Sequence, residues 1–354
     1  MSNAKDAFHE LVRIFSSRNN QVLEIEIIPP GLGATFLQDG CSLGITKKAL
    51  VQAFTVARQL FFDRLMPMSE DDLQTIFSAN AQSRNADSAI TEIMLLFDCE
   101  HLTACNWRKR RLRAAMTHYL ISNQTSVATE LLEAELTLMS SYQCSPLHRH
   151  TKSPTLWHHR LWVLVHLLQR RHWIQEDLLK LQRTELDVVL HAGELHPKNY
   201  YAFSYLRQLD VLLTATAEKT GQSTRETHTA QSVVERVVDW CLANPRDISG
   251  WSFGLYVLGN VLEQQSRVNA LERVVKFALN VGWEGESLWT FIDQASRQFR
   301  LESVVEDIML LQWDQETRSH ASQMVQDGRP KKSWQTWLAR ARVYWAVDGQ
   351  GQNT

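Results

Sequence analysis

The chain has 354 residues, of which 44% are hydrophobic and 21% are charged, and its 37 basic and 39 acidic residues leave a formal net charge of −2. With only 14 glycines and 8 prolines, it is neither a turn-rich all-β protein nor a collagenous or disordered one. The near-neutral charge also argues against binding to nucleic acid, which requires clustered excess cations. The basic run Arg108–Arg111 is therefore interpreted as a solvated helix face.

The apolar runs and the cysteines of the sequence indicate the cellular compartment. No stretch reaches the roughly 18 to 20 apolar residues of a membrane-spanning helix, and the N-terminus does not open into a signal-type apolar core. The five cysteines are scattered and never form a Cys-x-x-Cys pair, so neither a disulfide framework nor a structural zinc site is indicated. We expect a cytoplasmic protein with reduced thiols and no stable membrane insertion.

The N-terminal part contains the only clear strand pattern. Leu23–Ile27 alternates apolar and charged residues and is followed by two prolines, so it predicts one short extended segment and no further sheet. Asp71 and Asp72 resemble the beginning of an aspartate-rich diphosphate motif, but a helix start explains them better. Polar breaks at 78–88, 140–153 and 217–230 are predicted connectors, the last of them a mobile insertion.

Apolar residues recur with helical period along most of the remaining chain. Each such stripe predicts one buried helix face. The stripes are Val127, Leu131, Ala134 and Leu138; Trp157, Leu161, Leu164 and Leu168; Val233, Val237, Trp240 and Cys241; and Trp334, Leu338, Ala341 and Trp345.

A degenerate internal repeat gives the architecture. Each copy has a helix-starting residue, an anchor that is usually tryptophan, and an apolar helix, with a basic residue three positions after the anchor in some copies. The anchors are Cys105, Trp157, Phe203, Trp251 and Trp289. Their spacings of 52, 46, 48 and 38 residues accommodate two helices and two connectors per copy, at roughly 11 to 12 residues per helix.

We therefore predict an all-α fold, a right-handed α-α superhelix of helical hairpins similar to a TPR solenoid, with one short N-terminal extended segment. Residues 1–90 would pack on the solenoid, residues 91–345 would form about five repeats, and residues 346–354 would be a disordered tail. Ser153 and Asn244, each followed by proline, are the predicted helix N-caps. Each anchor is expected to be buried between successive hairpins.

Two segments resemble the α-subunit repeats of protein prenyltransferases, and most closely the divergent branch of that family. They are Pro197-Lys198-Asn199-Tyr200-Tyr201-Ala202-Phe203 and Ser153–Leu164, of which Trp157-His158-His159-Arg160 is the most specific piece. The resemblance covers roughly residues 90 to 292. It implies a crescent that embraces a separate β subunit, which would hold the zinc ion and the prenyl diphosphate. This chain would then carry no cofactor and transfer no lipid alone.

The resemblance also implies roles for individual residues. Lys198 would stabilise the departing diphosphate, with Tyr200 beside it, as the catalytic pair; a positioned ammonium does stabilise a leaving group that gains negative charge. Asn199 and the segment Trp157, His158, His159 and Arg160 would contact substrate or partner. The partner would be a prenyltransferase β subunit, most simply the Rab-type geranylgeranyltransferase β subunit, and the acceptor a protein with a C-terminal cysteine. Geranylgeranyl transfer is favoured over farnesyl transfer.

Several positions depart from that family's pattern. Cys105 and Phe203 replace anchor tryptophans, Leu206 and Gly254 occupy positions of the repeated arginine, and Leu255 falls where a histidine would face the diphosphate. A catalytically silent helical-repeat adaptor that binds another protein is therefore the alternative function. A nucleic-acid-handling protein that uses the face Arg108–Arg113 is a third, which the net charge disfavours. The histidines near residue 150 match no metal-binding spacing, so no metal site is predicted.

Overall fold

The chain is built almost entirely of helices. The computed structural model describes residues 2–31, 33–77, 81–170, 172–219, 227–320 and 333–350. By its contacts, the chain divides into two compact units, Met1–Gln222 and Ser223–Thr354. The predicted all-α helical-repeat fold with a short N-terminal strand segment is confirmed.

The first unit contains nine helices among its described residues. They are α1 (Ser2–Ser17), α2 (Lys47–Leu60), α3 (Glu70–Ile76), α4 (Ala81–Phe97), α5 (Leu102–Ile121), α6 (Thr125–Gln143), α7 (Pro154–Arg170), α8 (Gln175–Leu195) and α9 (Tyr200–Lys219). A π-helical turn, Phe61–Leu65, extends α2. The predicted connector at 78–88 is wrong for residues 81–88, because α4 begins at Ala81, and residues 78–80 lie outside the described residues. The predicted domain boundary at residue 90 also falls inside α4, which packs on α1 and α2 as well as on α5.

A small sheet forms between α1 and α2, and it is larger than the predicted single segment. Strands β1 (Glu24–Ile28) and β2 (Phe36–Asp39) flank β3 (Ser42–Thr46), with β1 parallel and β2 antiparallel to β3. The expectation of no further sheet is therefore wrong. Ser145 of the α6–α7 connector binds β1: its hydroxyl accepts from the Ile25 amide at 2.7 Å. The sheet is thus joined to the helical repeats.

The second unit continues with helices only, among its described residues. They are α10 (Thr227–Ala243), α11 (Ile248–Asn260), α12 (Gln264–Asn280), α13 (Glu286–Phe299), α14 (Glu302–His320) and α15 (Ser333–Gln350). Helix α15 includes residues 346–350 of the predicted disordered tail, and the rest of that tail lies outside the described residues. Half of the predicted insertion at 217–230, residues 220–226, also lies outside them, and the rest belongs to the end of α9 and the start of α10.

Helices two apart in sequence lie side by side within each unit. In the first unit α5 packs on α7, α7 on α9 and α6 on α8; in the second unit α11 packs on α13, and α10 and α14 both pack on α12. First helices of successive hairpins thus stack on one another, and so do second helices. This arrangement is the one expected of a helical repeat.

All five predicted anchors are buried, with exposures of 5% or less. Three anchor tryptophans make the same contact, because each indole N–H donates to the carbonyl six residues before it, at 2.8 to 3.0 Å. The pairs are Trp157 with Thr151, Trp251 with Pro245, and Trp289 with Trp283. The anchor therefore fixes the connector that precedes its own helix, besides filling the interior.

The residue four positions before an anchor caps the helix. In four repeats its side chain accepts a hydrogen bond from the backbone N–H of the residue just before the anchor; these capping residues are His101, Ser153, Asn199 and Asp247. Ser153 is thus confirmed as an N-cap. Asn244 is wrong as one, because α11 begins at Ile248 and Asp247 caps it. The capping box of Ser69 and Asp72 at the start of α3 confirms that the nearby aspartates mark a helix start.

Candidate functional site

Asn199 and Trp157 meet at one backbone carbonyl. The carbonyl of Thr151 accepts from the Asn199 amide at 2.7 Å and from the Trp157 indole at 2.8 Å. Both side chains are buried, and Trp157 also packs against Tyr205 with ring centroids 5.1 Å apart. These contacts join α7 to the start of α9, so the two residues hold adjacent hairpins together.

A buried ion pair joins helices α5, α6 and α7. Glu135, on α6, accepts from Arg108 Nε of α5 at 2.7 Å and lies 2.7 Å from His159 Nε2 of α7. Nη1 of Arg108 donates to Thr91 Oγ1 at 2.8 Å and to the Ser88 carbonyl. All three charged side chains are almost completely buried, and Glu92, 3.5 Å from Arg108, adds a second carboxylate to balance the two cations.

The next hairpin repeats this arrangement. Glu185, on α8, accepts from Arg160 Nε of α7 at 2.7 Å and also receives the hydroxyl of Tyr205 from α9. Arg160 Nη1 donates to Ser140 and Gln143, 52 residues after the Ser88 and Thr91 that bind Arg108. Each glutamate thus binds the arginine of its own hairpin and the residue two positions after the next anchor.

The pKa values of this network follow from its geometry. Burial alone would raise the pKa of Glu135, but Arg108 and His159 hold it well below the usual range. Burial would likewise lower the pKa of His159, yet the neighbouring Cys105 and Glu135 outweigh burial and raise it to about 9. We infer that His159 carries a proton at neutral pH and that Glu135 is ionised.

Four of the predicted binding residues are therefore internal. Trp157, His159, Arg160 and Asn199 are each exposed by 2% or less, so a partner at the surface could not touch them and any effect on binding would be indirect. Arg160 also donates to the Leu136 carbonyl at 3.3 Å, which ties it further into the interior.

The exposed members of the predicted site lie at the start of α9 and on α7. Tyr200 and Tyr201 are 59% and 50% exposed, and Lys198 and His158 are also exposed. Lys198 precedes the helix with a left-handed backbone (φ 62°), so it is not part of the first helical turn. The structure leaves the predicted catalytic roles of Lys198 and Tyr200 as predictions.

Apolar residues recur at the position where the first helix of a hairpin begins. In the first unit this position, three residues before the anchor, holds Leu102, Pro154 and Tyr200, of which Leu102 is 62% exposed. Leu102 and Tyr200 are large and exposed and Pro154 is partly exposed, and exposed apolar side chains at one place in a repeat are typical of a contact surface. We call these three residues, together with Tyr201, the helix-start row.

Basic side chains lie in the connectors beside this row. The ring of His148 packs against that of His196 with centroids 5.0 Å apart, and Lys152 is close enough to help lower the pKa of His196, after burial and His148. Lys198 follows His196 by two residues. The connectors before α7 and α9 therefore carry positive charge next to exposed tyrosines.

The histidines near residue 150 do not converge on one site. His150 is buried with Nε2 3.0 Å from the Leu95 carbonyl, His159 binds Glu135, and His158 is exposed. Within the part of the chain that the structure describes, no group of three histidine, cysteine, aspartate or glutamate side chains is placed to hold a metal ion. Burial also raises the pKa of the Cys99 and Cys144 thiols to about 11, so these two remain protonated at neutral pH.

The basic run on α5 is not the solvated face that its sequence suggests. Arg108 and Arg111 are both buried, and Lys109 and Arg113 lie over the ring of Trp162 at 5.9 Å and 5.5 Å. The prediction is wrong because buried Glu135 compensates Arg108, and the Arg111 guanidinium lies over the ring of Phe77 at 5.8 Å. The same contacts remove Arg108 and Arg111 from any surface for nucleic acid.

Comparison with known proteins corrects the family resemblance. A family model described as the ECM9 middle domain matches residues 156–278, about a third of the chain, from the first turn of α7 to the end of α12. No curated protein matches the chain. The assignment to the prenyltransferase α-subunit repeats is therefore wrong. Its motif residues Trp157, Arg160 and Asn199 are the anchor, the buried ion-pair partner and the helix cap, roles that any stacked hairpin can use.

In the part of the chain that the structure describes, no helix is both long enough and apolar enough to cross a membrane.

Proposed function

We propose that this chain is a helical-repeat subunit that acts by binding a partner protein through its helix-start row, with any catalysis residing in the partner. The observation that carries the proposal is the exposure of Tyr200 and Tyr201 beside the basic connectors. Tyrosines in such a setting supply much of the binding energy at protein interfaces. A partner with apolar pockets rimmed by acidic residues would be complementary.

The interior supports the same proposal. Caps, anchors and buried ion pairs repeat from hairpin to hairpin, which gives a rigid scaffold that holds surface side chains at fixed spacing. The charged groups with the largest pKa shifts are buried and paired with one another, so their perturbation has a structural explanation. A cytoplasmic location is part of the proposal, since all five cysteines are free.

The first partner to test is a prenyltransferase β subunit of the Rab-type geranylgeranyltransferase, which would supply the zinc and the prenyl diphosphate. In that complex, this chain would position the β subunit and an acceptor protein with a C-terminal cysteine. Any other protein recovered as a stable partner would instead favour the adaptor function.

The experiment is co-expression of the full chain with that β subunit, followed by size-exclusion chromatography. The test variant is the double substitution Tyr200→Ser and Tyr201→Ser, and the matched control is Val211→Ser, at a 63% exposed position of the same helix. We expect the double variant to weaken the complex by about tenfold or more and the control to leave it intact. Separate elution of the two wild-type chains would exclude this partner.

Lys198 then separates a catalytic subunit from a silent one. If this chain contributes the ammonium that stabilises a leaving diphosphate, Lys198→Ala should lower turnover by about 10²-fold while the heterodimer still forms. Lys109→Ala, at a cation on another hairpin, should change turnover little. Equal turnover of both variants and the parent complex would assign Lys198 to the surface and the chain to the adaptor function.

A further inference from the structure

A cavity of about 330 Å³ lies in the first unit beside the buried ion pair of α5 and α6. It lies between the end of α1 and helices α4, α5 and α6, away from the helix-start row. Its charged lining consists of Arg18, Arg108 and Arg111 against Glu92 and Glu135, so three positive charges face two negative ones. A cavity of this size is at the lower end of the range of small-molecule sites.

Most of these charges are already satisfied by protein groups. Arg108 donates from all three of its nitrogens, to Glu135, Ser88 and Thr91. Glu92 Oε1 accepts from the Ser88 hydroxyl at 2.7 Å. The same oxygen lies 3.5 Å from Arg108 Nη2. Glu135 is therefore compensated by Arg108 and His159, whereas Glu92 lies between Arg108 and Arg18.

Arg18 presents a nitrogen that no protein acceptor satisfies. Its side chain is 10% exposed, and its Nη2 donates to the Ala134 carbonyl at 3.2 Å. Its Nη1 is buried without a hydrogen bond and stands 3.8 Å from Glu92, too far for one. A buried guanidinium nitrogen without an acceptor is costly, and an oxyanion in the cavity would satisfy it.

We propose that this cavity binds a small polar molecule through one oxyanion group, a carboxylate or a phosphate, held by Arg18. The single excess positive charge suits one such group, and Asn19, Asn20 and Asn85 along the lining offer amide donors and acceptors for hydroxyl or amide groups of the ligand. The apolar side of the cavity, formed by Phe15 and Leu131, leaves room for a short carbon skeleton.

The test uses inorganic phosphate as the probe, followed by the broadening of its ³¹P resonance on addition of the full chain, with acetate as competitor. The first variant is Arg18→Gln. The second is Asn20→Asp, which places a negative charge at the cavity and keeps a residue that tolerates the left-handed backbone at φ 60°. Its matched control is Asn123→Asp, an exposed position at φ 56° in another turn.

We expect wild type and Asn123→Asp to broaden the phosphate resonance at up to about 10 mM phosphate, with acetate reversing the effect. Asn20→Asp and Arg18→Gln should bind at least about tenfold more weakly. If circular dichroism shows that Arg18→Gln does not fold, Asn20→Asp decides. No broadening with wild type, or equal broadening with Asn20→Asp and Asn123→Asp, would overturn the proposal.

Discussion

The pKa of His159 links the buried ion pair to the stability of the fold. The pKa is 6.5 for an unperturbed histidine and about 9 in the folded protein, so the folded state retains its proton over a range in which the unfolded chain releases it. The stabilisation is fully present below pH 6.5, declines between 6.5 and about 9, and is absent above that value. The gap between the two pKa values corresponds to about 3 kcal/mol.

The assay is urea unfolding at several pH values, comparing wild type with His159→Gln. The difference in unfolding free energy between the two proteins should shrink by up to about 3 kcal/mol between pH 6 and pH 9.5, since only wild type loses a stabilising charge. Other groups titrate in both proteins and cancel in this difference. The control is His158→Gln, at the exposed neighbouring position on α7, whose pH dependence should match that of wild type.

A direct titration completes this test. The ¹³C-labelled ring of His159 should titrate near pH 9 in the folded protein. A ring that titrates near 6.5, or a stability difference from His159→Gln that is constant with pH, would refute the charged Glu135–His159 pair. The reading of the buried network as fully ionised would then fail.

Three further predictions test the interior. Trp157→Ala should lower the unfolding free energy by about 3–5 kcal/mol, seen as a lower melting temperature, and an unchanged value would mean that the anchor does not pack between hairpins. Glu185→Gln should cost about 3–5 kcal/mol in urea unfolding because it removes the charge that balances buried Arg160, and adding Arg160→Met should recover much of that loss; no recovery would contradict the ion pair. Gly250→Ala should destabilise by about 1–3 kcal/mol, since its Cβ would overlap a tryptophan ring, whereas Gly254→Ala, with an ordinary contact at 3.6 Å, should be tolerated; equal melting temperatures would contradict this packing.

The sequence was sufficient for the helical repeat because the anchors and caps are local signals. A buried anchor preceded by a capping residue at a fixed offset can be read from one chain, and Ser153 and Trp157 illustrate both. Strands β2 and β3 were not predicted from the sequence. Strand β2 has only four residues, and β3 contains Gly44, which weakens the alternation that marks a strand. Their pairing depends on contacts that no local pattern contains.

The buried charges could not be read from hydropathy. On α6 the stripe Val127, Leu131 and Ala134 suggests one face, but the face that is buried contains Glu135, one residue out of step with that stripe. A buried glutamate looks solvent-exposed in sequence until its arginine partner is known. The only available signal was the recurrence of arginine three residues after the anchor, at Arg108 and Arg160.

The site was predicted only in part for the same reason. The motif that contains Lys198 and Asn199 marks a helix start, and the sequence cannot show that Asn199 is turned inward while Tyr200 is exposed. The cavity at Arg18 was not foreseen either. It is lined by residues from four distant segments, and only the fold brings those segments together.

The central claim is that a partner protein binds at the start of α9, and site-specific photo-crosslinking tests it most directly. A benzoylphenylalanine placed at Tyr200 in the full chain, co-expressed with the protein that co-elutes with it as a stable complex, should crosslink to that protein, whereas the same probe at Val211 should not. Crosslinking from position 211 alone, or from neither position, would contradict partner binding by the helix-start row.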